Sequence, residues 1–116
     1  MKASDLFVKC LEAEGVTKIF GIPGEENADL MISLKKSKIE FVLCRHEQAA
    51  AFMADVYGRL TGKAGVCLAT LGPGVTNLMT GLADANMDRA PVVAIIGQGS
   101  TERLHKESHQ IMDSIS

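Results

Sequence analysis

The chain has 116 residues, 47% hydrophobic and 22% charged, with a formal net charge of -2, the proportions of one folded domain rather than a disordered segment. Its lysines and arginines are dispersed singly or in short pairs such as Lys35-Lys36, which argues against a nucleic-acid partner. No stretch approaches the roughly 20 apolar residues of a membrane span, and Lys2, Asp5, Lys9 and Glu12 interrupt any signal-peptide core, so a cytoplasmic protein without a membrane partner is expected.

In chain order, Ser4 is placed to cap a first helix whose apolar stripe is Leu6, Phe7, Cys10 and Leu11, ended by Gly15. A short apolar run, 16–20, precedes Gly21-Ile22-Pro23-Gly24, a sequence that forbids regular structure and marks a tight loop. Residues 27–36 have the spacing of an amphipathic helix, and 39–44 form a second apolar run. An alanine-rich helix is expected over 47–60, mostly buried, with Phe52, Met53, Val56 and Tyr57 at helical spacing and a stop at Thr61-Gly62. A third apolar run, 65–71, ends at Gly72-Pro73-Gly74. The next helix, 75–87, should turn Leu78, Met79, Leu82 and Ala83 inward, before a fourth strand at 91–96 and Gly97-Gln98-Gly99.

The runs are short and continuously apolar, as strands covered on both faces must be. The fold expected is therefore α/β, an open parallel sheet with helices on both faces. Ligands of such sheets bind outside the carboxyl ends of the strands, and the four loops GIPG, RHEQ, GPG and GQG should converge there. After Gly99 the chain turns polar, with Ile111, Met112 and Ile115 hinting at a further element. One domain is expected over 1–116, cut short at its C-terminal side, with at least one more strand and helix to follow.

Several groups could carry chemistry. Glu47 falls in the first turn of its helix, where a glutamate often serves only the helix dipole. A strand-end location, an alanine-rich following turn and neighbouring glycine loops favour a functional carboxylate instead, able to share a proton with a ligand nitrogen. The loops Gly21 to Gly24 and Gly72 to Gly74 allow close backbone approach beside helix N-termini, yet match neither GxGxxG nor a Walker loop, so a ligand cradle and a plain tight turn remain open alternatives. His46 lacks a second histidine at ligand spacing and reads as structural or solvent-facing. His105, His109 and Asp113 match no established metal site, and no metal ligand is assigned. Cys10, Cys44 and Cys67 lie far apart in apolar segments and read as buried, reduced thiols.

Taken together, GIPG, RHEQAAAFMADVYGRLTGKAGVCLATLGPGVTNL and PVVAIIGQ resemble, in this order and spacing, the thiamine-diphosphate enzymes of the acetolactate synthase group. The resemblance covers nearly the whole chain and implies the N-terminal domain that grips the aminopyrimidine ring of thiamine diphosphate, working as a homodimer or homotetramer assembled through this domain. It implies that Glu47 hydrogen-bonds the pyrimidine N1′, the contact that activates the cofactor. Pro73 and Asn77 match the family's turn beside the pyrimidine, Pro23 and Gly24 the first loop of the same pocket. Gln110, in His109-Gln110-Ile111-Met112-Asp113, matches a glutamine that faces the active site, and His109 leans the likeness toward the catabolic, flavin-independent type, leaving FAD the less favoured cofactor.

The reaction so implied decarboxylates pyruvate and joins the product to a second 2-keto acid. The family's GDG motif, which holds Mg2+ and the diphosphate, does not occur in the sequence; the resemblance therefore places that metal on another domain and predicts that these 116 residues alone are inactive. Leu71 stands where many members have serine, Ile22 where several have tyrosine, and Glu25-Glu26 is more acidic than usual. Another thiamine-diphosphate decarboxylase or lyase, or a non-catalytic α/β binding or regulatory module, stays open as an alternative.

Overall fold

The computed structural model describes residues 1–100 and residue 102. The chain runs α1 (Ala3–Ala13), β1 (Lys18–Gly21), a single 3-10 turn (Glu25–Asn27), α2 (Ala28–Lys35), β2 (Glu40–Leu43), α3 (Glu47–Thr61), β3 (Gly65–Ala69), α4 (Pro73–Met87) and β4 (Val92–Ile96). The strands form one parallel sheet in the order β2-β1-β3-β4, with Phe20 beside both Val42 and Cys67, and Cys67 beside Ala94. The α/β architecture expected from the apolar runs is the one found.

Side chains alternate across β3 and so divide the core in two. Val66 and Leu68 join Val8, Ile19, Leu34 and Ile39 under α1 and α2, whereas Cys67 and Ala69 join Cys44, Ala50, Ala51, Ala54 and Leu78 under α3 and α4. Every residue of β3 is buried, as befits an inner strand with helices above and below. On the first face Ser33, buried in α2, donates its hydroxyl to Asp5 Oδ1 at 2.6 Å, with Ser4 Oγ 2.9 Å away, which ties α2 to the start of α1. Among the described residues no helix is long and apolar enough to cross a membrane.

Several local expectations are corrected. Lys2, not Ser4, occupies the N-cap of α1, with Asp5 accepting the Lys2 amide at 3.3 Å, because the Ser4 hydroxyl is engaged by Ser33. From α1, Val8 is buried in the core and Leu11 packs against it as expected, while Leu6, Phe7 and Cys10 are exposed. Only Cys44 and Cys67 are buried thiols; burial pushes Cys67 up to about 11, which keeps it protonated and unreactive.

The larger correction concerns α3. Its buried face is made of Ala50, Ala51, Ala54, Asp55 and Gly58, whereas Met53, Val56 and Leu60 are 43%, 51% and 81% exposed. The reason is the close approach of α4: a Cβ on Gly81 would lie 2.4 Å from Ala51 Cβ, so small residues set the helix separation and large ones are turned outward. Likewise Met79 and Ala83, expected inward on α4, are exposed, and Val75, Leu78, Gly81 and Ala85 take the core. The further element expected around Ile111, Met112 and Ile115 lies outside the described residues.

Candidate functional site

Strand order places the site. From β1 the chain moves outward to β2, then crosses back to β3 on the other side of β1, so the direction of winding reverses between β1 and β3. At such a reversal the loops leaving the two strands go to opposite faces, and a crevice opens outside their carboxyl ends. The loop from Gly21 to Gly24 leaves β1 and the loop from Thr70 to Gly74 leaves β3. They meet at Thr70, since a Cβ on Gly24 would lie 2.8 Å from Thr70 Cβ and 2.9 Å from Thr70 Oγ1; only glycine permits that contact. Gly97, after β4, approaches Leu71 in the same way, with the built Cβ 3.2 Å from the Leu71 nitrogen.

Glu47 enters from β2 as the first residue of α3. The helix starts there because His46, in an extended conformation, turns its Nδ1 to accept the Gln48 amide at 3.0 Å. That is an N-cap, made by an imidazole in place of the usual hydroxyl or carboxylate. His46 is therefore structural, and its ring is committed to starting the helix that carries Glu47.

The carboxylate of Glu47 is half-buried and its two oxygens differ. Asn77, the fifth residue of α4, donates from Nδ2 to Oε1 at 3.2 Å. No hydrogen bond within the described residues reaches Oε2, which lies 3.4 Å from the position a Cβ would take on Gly74. The turn into α4 is made by Gly72, whose φ of 65° and ψ of -122° are open to glycine alone, followed by Pro73 as the first helical residue. That geometry brings Gly74 and Asn77 up to the carboxylate.

Of the residues singled out from sequence, Glu47, Asn77 and Gly74 are in direct proximity. Gly24 joins them through Thr70, whose Cγ2 lies 3.2 Å from the built Cβ of Gly74. Pro23 and Pro73 stand exposed on the rim. Gln110, like His105, His109 and Asp113, lies outside the described residues. Among the described residues no group of three His, Cys, Asp or Glu side chains could hold a metal ion.

Two polar residues escaped the sequence reading. Thr70 has a buried hydroxyl with no hydrogen-bond partner among the described residues, at the junction of the two glycine loops. Asn27 is 8% exposed, accepts the Gly24 amide on Oδ1 at 2.8 Å and leaves its buried Nδ2 unpartnered. An asparagine three residues beyond the loop's last glycine, where a helix is about to start, was the available signal for Asn27; for Thr70, hidden in an apolar run, there was none.

The site thus holds a half-buried carboxylate with Oε1 pinned by Asn77 and Oε2 without a hydrogen bond among the described residues, an arrangement in which a carboxylate can accept from a donor. Comparison with known proteins points to a ligand. The sequence profile described as "Thiamine pyrophosphate enzyme, N-terminal TPP binding domain" matches residues 1–116. The large subunit of acetolactate synthase isozyme 2 of Escherichia coli is 48% identical over 113 residues, which are 97% of this chain and 21% of that protein. The catabolic acetolactate synthase of Raoultella terrigena is 49% identical over 113 residues, 97% of this chain and 20% of that protein. A chloroplastic acetolactate synthase of Nicotiana tabacum is 52% identical over 98 residues, 84% of this chain and 15% of that protein. The chain thus spans about a fifth of the length of the curated relatives it matches.

Proposed function

The chain belongs to the thiamine pyrophosphate enzymes, as an N-terminal TPP binding domain, and from that premise we propose that it holds and activates the aminopyrimidine half of thiamine diphosphate in an acetolactate synthase-like enzyme. The observation that carries this reading is the Glu47 carboxylate at the β1/β3 reversal, with Oε1 held by Asn77 and Oε2 open beside Gly74. Gly24 and Gly74 leave backbone beside that oxygen against which a flat ring can lie.

With thiamine diphosphate bound, Glu47 Oε2 would share a proton with the ring nitrogen N1′, and Asn77, holding Oε1, would keep the carboxylate from turning away. Pro23, Gly24 and Pro73 pack against the ring and set its tilt. The contact with the keto acid we assign to Gln110, from the resemblance alone. When bound, thiamine diphosphate supplies the electron sink that lets a 2-keto acid such as pyruvate lose carbon dioxide and add to a second 2-keto acid. Mg2+ and the diphosphate we assign to a domain outside this chain, in keeping with relatives of which the chain spans about a fifth; FAD is the weaker assignment. The assembly is a homodimer or homotetramer through this domain, which the exposed apolar residues of α3 support. A cytoplasmic location rests on the free cysteines, of which Cys44 and Cys67 are buried, and the absence of a nucleic-acid partner on the net charge of -2.

The test is Glu47→Gln in the full-length protein. Turnover of pyruvate should fall roughly 100-fold to 10,000-fold, the ordinary cost of losing a proton-transfer group, while the thermal melt stays in place. Near-normal turnover in the folded variant would refute the assignment.

A further inference from the structure

We infer that Asn27 is the positioning residue of the site's first loop, setting where Gly24 lies relative to Thr70 and so the width of the crevice that receives the ring. The inference rests on the reading of that crevice as the pyrimidine pocket. Asn27 precedes α2 and occupies its N-cap position, where asparagine ordinarily turns its side chain forward to accept an amide of the first helical turn. It makes no such bond. Its Oδ1 turns back instead and accepts the Gly24 amide at 2.8 Å. The bond caps the 3-10 turn Glu25–Asn27, whose N-cap is Gly24, so Asn27 ties back to the loop rather than forward to α2.

The consequence is geometric. Gly24 is fixed from one side by Asn27 and from the other by Thr70, against which a Cβ would have only 2.8 Å. Thr70 in turn touches the space at Gly74, 3.4 Å from which lies Glu47 Oε2. A chain of short contacts therefore runs from Asn27 through Gly24, Thr70 and Gly74 to the open carboxylate oxygen. Side chains on both sides of Gly24, Asn27 with Nδ2 and Thr70 with Oγ1, carry the buried polar atoms that have no partner among the described residues.

Three variants of the full-length protein separate positioning from packing. Asn27→Leu keeps the volume of the side chain and removes the acceptor, Asn27→Asp keeps the acceptor, and Asn27→Ala replaces the leucine variant if that one does not fold. The equilibrium dissociation constant of thiamine diphosphate, measured by calorimetry with Mg2+ present, should rise about fivefold to tenfold in Asn27→Leu, as expected for one lost hydrogen bond, and stay within about twofold of the parent in Asn27→Asp. In the cofactor-free protein, amide exchange over residues 21–27 should be faster in Asn27→Leu alone. Equal affinity and equal exchange in the leucine and parent proteins would overturn the inference, as would an aspartate variant no better than the leucine one. If the parent itself failed to bind thiamine diphosphate, the reading of the pocket would fall, and the inference with it.

Discussion

Glu47 and Asp55 lie on the same helix, and the contrast between them shows what the fold does with a carboxylate. The first is left with an open oxygen. The second, 1% exposed, is fully engaged: Arg59 donates from Nε to Oδ1 at 2.6 Å and from Nη2 to Oδ2 at 3.2 Å, and the same guanidinium reaches Asp84 and Asp88 at 3.3 and 2.5 Å. Arg59 holds the Asp55 carboxyl below its ordinary value of 3.8, whereas Asp84, crowded against Asp55 and partly desolvated, is raised. The signs decide the pH dependence. The depressed group contributes stability that is complete above 3.8 and lost as pH falls through its lower folded value; the raised group does the reverse, withdrawing stability as pH rises above 3.8 through its own folded value. Arg59→Met should therefore be destabilised near neutral pH, with the gap from the parent closing on acidification below that value. Denaturant melts at a series of pH values would show it, and a gap that stayed constant would mean that Arg59 acts through packing alone.

At the scale of the element, the apolar runs and glycine loops made the helices and strands legible, because each run is continuous and each loop holds residues that cannot continue a helix or strand. Which face of a helix is buried was not legible for α3 and α4. Met53, Val56 and Met79 outrank alanine and glycine on any hydrophobicity scale, and nothing local reveals that Gly81 must sit against Ala51. Residue type and position pointed to Glu47 at the start of α3 and to the glycines at the strand ends, whereas Asn77, three residues after Gly74, was singled out only through the resemblance. The site was not legible where the contact is long-range, as in the approach of Gly24 to Thr70. The helix pair gives a direct prediction. Gly81→Val places branched carbon where a bare Cβ already has 2.4 Å, and should cost about 1–3 kcal/mol of stability, measured by chemical denaturation. A variant as stable as the parent would show that α3 and α4 separate freely.

For the whole molecule, the outward residues of α3 have a common setting. Phe52, Met53, Val56, Tyr57 and Leu60 line with Phe20 an apolar groove of about 450 Å³, in which Phe20 and Tyr57 meet edge to face at 6.0 Å. An apolar groove on the outside of a domain is costly in water unless something covers it, and membership of an enzyme family, rather than a free-standing binding module, fits a second subunit as the cover. Val56→Glu in the full-length protein should shift sedimentation toward a smaller species, since a carboxylate buried without a partner opposes association; unchanged sedimentation would place the interface elsewhere.

The bond between Asn77 and Glu47 joins the starts of two helices, and the tight Gly81–Ala51 contact lies one turn further along each of them. The pair is thus a caliper: its jaws hold the carboxylate and its screw is the glycine. Whatever pries the helices apart at Gly81 should lengthen the grip on Oε1 and free Glu47 to swing, so under the proposed role of Glu47 a side chain one turn away would govern proton transfer, and a change made there for stability would be read as a change in rate.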